Sequence, residues 1–433
     1  MSQPINRIAV IGAGTMGAGI AGLCAAKGCE VVLLDVTTEQ AQKGVERLTA
    51  GRRPAITPED AAKITTGSLQ DQLSLLSDCD WICEAVVEDL EIKRDLFTKL
   101  EAVRKDGSII STNTSGIPLR DIYAGMPESF QQSIAVTHFF NPVHIMKLVE
   151  LVPGSKTSED VTNRLADFLD NTLEKGTVYA KDTVNFIGNR IGCFWMLAGL
   201  HKAAASDLSI ETVDALMSKP VGLPATGLYG LIDLIGLDVM DFVAKNLEKN
   251  LPVDDPGRSY LQLPATESQM LSDGQLGRKS GGGFYKMVKS ADGEKSMEIF
   301  DLTDRSWRPM NKPQLDDQHN DITRLMYGDD AESRFTWDLM GTTLHYASAL
   351  VPEISDDIVN VDRAMKWGFS WGQGPFELLD AIDAVKFAEK VTSNGGEVSG
   401  ILKTLIDSGN NSFYRDGGNE YFGTDGKYHK TTS

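Results

Sequence analysis

Ten residues near the start of the chain, running from Ile8 to Gly17 as IAVIGAGTMG, restrict its fold more than any other stretch. An apolar strand, Ile8 to Ile11, leads straight into a glycine-rich turn and then a helix of small residues such as Gly19, Ala21, Ala25 and Ala26. Gly12 suits the tight turn, Gly14 lets backbone amides approach a pyrophosphate, and Gly17 lets the helix pack closely on the strand. Thr15 and Met16 complete the turn, and the helix N-terminus faces the phosphates. A glycine triplet alone occurs in many loops. Here a second apolar run, Val31 to Leu34, ends in Asp35, about 20 residues further on, where an acid can bind the ribose 2′-hydroxyl of a dinucleotide. Asp35 would repel a 2′-phosphate, and no arginine follows in Val36-Thr37-Thr38, so NAD is expected rather than NADP.

A chain of 433 residues exceeds one ordinary core and predicts two or three domains. Its 41% apolar and 24% charged content is that of a globular protein. A net charge of −19 argues against nucleic acid and against anionic membrane surfaces. An anionic substrate would therefore need basic residues gathered locally. No apolar run approaches the roughly 18 residues of a spanning helix, and Met1 to Arg7 does not read as a signal peptide. The five cysteines lack CxxC spacing and read as buried thiols of a reducing, cytoplasmic setting.

Strand-like runs alternate with amphipathic ones up to about residue 182: Ile64–Thr66, Trp81–Val86, Ser108–Thr112, Ile134–Phe140, Lys147–Val152 and Gly176–Ala180. Such alternation builds a largely parallel sheet with helical crossovers. From Thr183 the pattern turns helical, and the second half hides a repeat. Val213-Asp214-Ala215-Leu216-Met217 leads to Gly227 and Asp233, as Val361-Asp362-Arg363-Ala364-Met365 leads to Gly374 and Asp380. The offset is 148 residues at the front and 147 at the back. The expected architecture is an α/β Rossmann-like domain (1–182) followed by two all-α domains related by duplication (183–288 and 331–433). A connector, 289–330, joins them around a short strand at Met297–Leu302, and the tail beyond Ser408 reads as loop or extended structure.

Three polar clusters fall where strands end, which is where ligands of open α/β sheets bind. Ser111-Thr112-Asn113-Thr114-Ser115-Gly116 would serve either as a simple turn or as a site. In the second, a hairpin centred on His144 puts His138 directly opposite Glu150, at cross-strand pairing distance. A carboxylate beside an imidazole fixes its tautomer and raises its basicity, as a general base requires, although a merely structural pair looks the same in sequence. His144 itself reads as a loop residue. The third cluster, Lys181 to Arg190, contains Asn189 at the start of an apolar helix, where an amide either caps the helix or points into a cleft.

At these residues the chain resembles the L-3-hydroxyacyl-CoA dehydrogenases, NAD-dependent enzymes of fatty-acid β-oxidation. The resemblance runs in order through Gly12–Gly17, Glu84–Glu88, Asn113–Ser115, His138–Pro142, Lys147–Glu150, Lys181–Thr183, Gly188–Arg190 and Gly281–Tyr285. It implies that His138 is the base and Glu150 orients it. It also implies that Ser115 and Asn189 hydrogen-bond the reacting oxygen or thioester, and that Glu88, Lys93, Ser115, Asn141 and Lys279 contact NAD. The substrate would be an acyl-CoA, and Arg47, Arg52 and Arg53 are candidates for its phosphates, though a solvated basic loop reads the same way. Residues 331–433 look like the second helical copy of multifunctional β-oxidation proteins, with a fused or associated enoyl-CoA hydratase and thiolase as expected partners. The end at Ser433 suggests a hydratase beyond it or a truncation. Trp337 falls at the Asn189 position, so the second copy is expected to pack against the first, in a monomer, rather than to catalyse. Gly227-Leu228-Tyr229-Gly230 departs from the family's Gly-Pro-Phe-Glu, which survives at Gly374–Glu377. The segment from Asp35 to Trp81 is also short for the family. The alternatives are a dehydrogenase of free hydroxy or sugar acids and a non-catalytic NAD-binding scaffold.

Overall fold

A computed structural model describes residues 4–289, 292–313 and 315–431. The expectations that touch Met1–Gln3, connector residues 290, 291 and 314, and Ser433 lie outside the described residues. The chain divides into two compact units, Met1–Phe186 and Ile187–Ser433.

The first unit is built on one eight-stranded sheet, in the order β3-β2-β1-β4-β5-β6-β7-β8. The strands are β1 (Arg7–Ile11), β2 (Glu30–Asp35), β3 (Ile64–Ser68), β4 (Trp81–Glu84), β5 (Ile109–Thr112), β6 (Ile134–Phe139), β7 (Leu148–Pro153) and β8 (Gly176–Tyr179). Strands β1 to β6 pair in parallel, and apart from the edge strand β3 their central residues are buried, as two covered faces require. The order reverses between β1 and β4, the topological switch point where such sheets hold ligands. Strand β4 stops at Glu84, two residues before the apolar run ends. There the Glu84 carboxylate accepts the Val86 N–H at 2.7 Å, which takes that backbone out of the ladder. Strands β6 and β7 are antiparallel with His138 opposite Glu150, the register expected from sequence.

The second unit is mainly helical, as expected, and carries two small antiparallel sheets. Strands β9 (Tyr285–Lys289), β10 (Lys295–Asp301) and β11 (Ser306–Pro309) form an antiparallel sheet in which β10 takes the place of the expected short strand. The tail expected as loop or extended structure makes another, from β12 (Tyr414–Arg415), β13 (Glu420–Phe422) and β14 (Tyr428–Lys430). Strands of two or three residues are too short for alternation to register in sequence. They are anchored by Phe413 and Phe422, both fully buried.

One device occurs twice in this unit. Asp214 accepts the backbone N–H groups of Tyr229 and Gly230 and the Tyr285 hydroxyl, at 2.7, 3.0 and 2.7 Å. Asp362 accepts the N–H groups of Phe376 and Glu377 and the Tyr414 hydroxyl, at 2.8, 3.2 and 2.7 Å. Asp233 holds the amides of Phe284 and Tyr285, and Asp380 those of Phe413 and Tyr414. A Cβ on Gly227 would collide with Asp214, as one on Gly374 would with Asp362. The two halves also interlock. Phe194 stacks on Tyr346 with ring centroids 3.9 Å apart, and Arg190 reaches Tyr346 Oη, Asp255 and Glu353.

Candidate active site

The glycine turn lies between β1 and helix α1 (Thr15–Ala26). Gly12 sits at φ +98°, and a Cβ there would run into the Ala85 carbonyl on β4's side of the switch point. A Cβ on Gly17 would meet the Gly12 carbonyl. Gly14 differs: an added Cβ meets nothing within 4 Å. Two glycines are therefore needed for packing, and the third leaves an open approach to the first amides of α1. Asp35 stands over the same turn, accepting the N–H groups of Ala13 and Val36 at 2.6 Å each. Open amides with a carboxylate beside them fit the pyrophosphate and ribose of a dinucleotide.

A buried charge network extends from this turn. Lys93, only 1% exposed, places its ammonium 2.7 Å from Glu84 and 3.4 Å from Glu88. Glu84 also accepts the Thr112 hydroxyl at 2.6 Å. Glu88 in turn receives the Thr114 hydroxyl and the N–H groups of Ser115 and Gly116, the latter two at 3.1 Å. The Ser115 turn is thus set by a carboxylate that Lys93 holds in place. A buried ion pair tolerates loss of one partner poorly, which makes this a rigid support.

His138 Nδ1 lies 2.7 Å from Glu150 Oε2, and both side chains are nearly inaccessible. Asn113 ties β5 to the histidine strand by accepting the Phe139 N–H at 2.8 Å. The loop after β6, which carries Asn141, is fastened at its base. Lys175 donates to the carbonyls of Val143 and Met146, and burial pulls its ammonium down to about 8. Val143 also packs where Gly19 of α1 has no side chain, so the loop lies against the cofactor helix.

The first unit therefore gathers Gly12, Gly14, Thr15, Met16, Gly17, Asp35, Glu88, Ser115, His138 and Asn141 around the carboxyl ends of its parallel strands, with Glu150 joining them from the amino-terminal half of the antiparallel β7. Lys93 comes to the same region as a buried brace. Arg47, a candidate for substrate phosphates, donates from its guanidinium to the Ala13 carbonyl at 2.6 Å, beside the glycine turn. Arg52 and Arg53 are exposed in the bend that follows helix α2 (Thr38–Thr49). In the second unit, Asn189 is half-buried in the first turn of the helix Gly188–Ala204, and Lys279 pairs with Asp238 at 2.5 Å. Sequence reasoning overlooked Glu84, Asn113, Phe140 and Phe186. Asn113 stood inside a polar cluster already singled out, whereas Glu84 read as one residue within the apolar run Trp81–Val86.

A dinucleotide turn at the switch point, with a carboxylate-braced histidine on the same sheet, defines the class of NAD-linked dehydrogenases. Residues 7–183 match the family model for the 3-hydroxyacyl-CoA dehydrogenase NAD binding domain, and residues 186–287 match that for the C-terminal domain. A Bacillus subtilis protein described as a probable 3-hydroxyacyl-CoA dehydrogenase is 34% identical over 99% of this chain and 57% of its own length. This chain thus spans little more than half of that relative. A probable 3-hydroxyacyl-CoA dehydrogenase of Deinococcus radiodurans is 37% identical over 69% of this chain and 87% of its own length. The crystal structure of Escherichia coli 3-hydroxybutyryl-CoA dehydrogenase shares the fold, with a TM-score of 0.72 at 23% identity over 94% of this chain and 100% of that one. The chain belongs to the 3-hydroxyacyl-CoA dehydrogenase family. Among the described residues no helix is long and apolar enough to cross a membrane.

Proposed function

We propose that this chain oxidises an L-3-hydroxyacyl-CoA reversibly to the 3-ketoacyl-CoA. NAD, when bound, supplies the hydride acceptor. The observation that carries the reading is the His138–Glu150 pair, 2.7 Å apart at the end of the hairpin. Glu150 occupies Nδ1, which leaves Nε2 to take the hydroxyl proton as the carbinol is oxidised. Glu150 also stabilises the imidazolium that results. Ser115, on the turn that Glu88 holds, and Asn189 are assigned to the reacting oxygen or thioester. Glu88, Asn141 and Lys279 are assigned to the cofactor.

Substitution of His138 by alanine should lower turnover by about 10²–10⁴-fold while NADH binding persists. Near-normal turnover would remove the base assignment. Assays with 3-hydroxybutyryl-CoA against free 3-hydroxybutyrate separate this reading from a free-acid dehydrogenase, and no NADH formation with either would favour the scaffold.

The residues after 186 are read here as two copies of one helical domain joined by a connector. The matched bonds of Asp214 with Asp362, and of Asp233 with Asp380, support this. The second copy would cover the first and leave the protein a monomer. The length of the Bacillus relative leaves room for a fused or associated activity such as a hydratase. Five buried, unbridged cysteines support a reducing cytoplasm.

A further inference from the structure

The base is held on more sides than the carboxylate accounts for. Strand alternation puts His138 and Phe140 on one face of the chain leaving β6. The Phe140 ring meets the imidazole edge to face, with centroids 4.8 Å apart. A second ring, Phe186, arrives from almost fifty residues further along and stands 5.6 Å from the imidazole at 58°. With Glu150 on Nδ1, these contacts leave His138 only 6% exposed.

Phe186 reaches that position by an unfavourable backbone path. Asn185 and Phe186 are consecutive residues in the left-handed region, at φ +59° and +50°. Asparagine visits that region fairly readily, whereas an aromatic residue there is uncommon. Both side chains are buried, so no surface turn requires the conformation. Strain of this kind persists where the surroundings over-determine it, and it clusters at functional sites. Filling a core with phenylalanine does not need it. Presenting a flat ring at one angle to the imidazole does.

The need is physical. The outer torsion of a histidine side chain has a broad, roughly two-fold profile, so its ring plane is poorly set by its own rotamer. Glu150 pins one ring nitrogen but leaves freedom about that contact. Two aromatic rings, with their preference for edge-to-face and tilted contacts, remove it.

We propose that Phe186, delivered by the left-handed turn at Asn185 and acting with Phe140, is a positioning residue that sets the plane of the His138 imidazole. The inference rests on His138 being the base and adds what aims it. Phe186→Leu keeps apolar volume but removes the flat ring. It should lower kcat about 10-fold, with the KM for 3-hydroxybutyryl-CoA and the Kd for NADH within about twofold, because small misplacements of a catalytic group are costly. Phe186→Tyr, which restores a ring, should recover most of the loss. Unchanged kcat in Phe186→Leu would overturn the proposal. So would a Tyr variant no better than Leu, or a kcat loss matched by an equal loss of NADH affinity. If Phe186→Leu does not fold, Phe140→Leu carries the same expectation and the same refutation. His138→Ala belongs in the series: an active His138→Ala defeats the base assignment itself. An inactive one beside a fully active Phe186→Leu defeats only the role of Phe186.

Discussion

The two halves of the helical unit carry matching hydrogen-bonded aspartates with different residues around them. In the first half Asp233 faces Gly283, where a Cβ would collide with the carboxylate. In the second, Ser412 stands beside Asp380 and donates its hydroxyl to it at 2.9 Å. The larger difference lies at Asn189, in the first turn of the helix Gly188–Ala204, and at Trp337, its counterpart 148 residues on. Asn189 offers a half-buried amide there. Trp337, at the matching place, packs 5.3 Å from Phe387 and takes the Lys390 ammonium over its ring at 4.2 Å. Carboxylates that gather two or three donors in a buried setting cannot be exchanged without leaving those donors unpaired. A half-buried side chain on a helix has no such obligation. The carboxylate frame is therefore common to the two halves, whereas this helix position differs between them.

The comparison is broken most severely by exchanging amide for alkyl in each half. Asn189→Ala should cut kcat about 10²–10³-fold, the usual loss for one donor to a developing oxyanion. Trp337→Ala should leave kcat within about threefold and lower only the melting temperature. Equal kcat losses would mean that the second half takes part in catalysis.

Next in size is the joint between the halves. The wild-type protein should run as a monomer by light scattering. Arg190→Ala strips the partner from Asp255, whose side chain is only 5% exposed, and should destabilise the helical unit by about 3–5 kcal/mol in urea titrations. A dimer, or an unaffected urea midpoint, would show that the second half does not stand in for a partner subunit.

The smallest effect lies where the first half meets the connector. Glu211 is buried, which favours its neutral form. The two bonds from Arg308 and the Asn311 N–H outweigh that and hold its carboxyl down at about 2. A depressed carboxyl contributes stability that is present above its unfolded value, near 4.5, and fades as pH falls toward 2. Urea midpoints between pH 5 and 2.5 should therefore fall faster for wild type than for Glu211→Gln. Parallel lines would remove this pair from the acid response.

Much of the site was legible because local patterns carried it. Gly12, Gly14, Gly17 and Asp35 occupy a strand, a turn and a strand end in fixed order. Alternation about His144 was enough to set His138 against Glu150. Other features lacked any local mark. Lys93 reads as one more lysine on an amphipathic helix, yet it is enclosed by two carboxylates from outside its own helix. Nothing local marks the bond that Arg47 makes to the Ala13 carbonyl, 34 residues away. The strands of the tail, two or three residues long among Gly, Asn and Asp, carry no alternation to read. Buried Phe413 and Phe422, with the Asp380 and Asp362 carboxylates that receive Phe413 and Tyr414, hold them.

By itself the sequence determined the dinucleotide turn, the pairing of His138 with Glu150, and the echo of one helical half in the other. Each rests on spacing within a segment, or on a period that survives without three-dimensional information. Tertiary structure alone decided which charges lie buried behind the Ser115 turn, and it alone brought Phe186 to the imidazole. Those contacts join residues tens of positions apart, and their energies come from burial and geometry that a linear order of side chains does not contain.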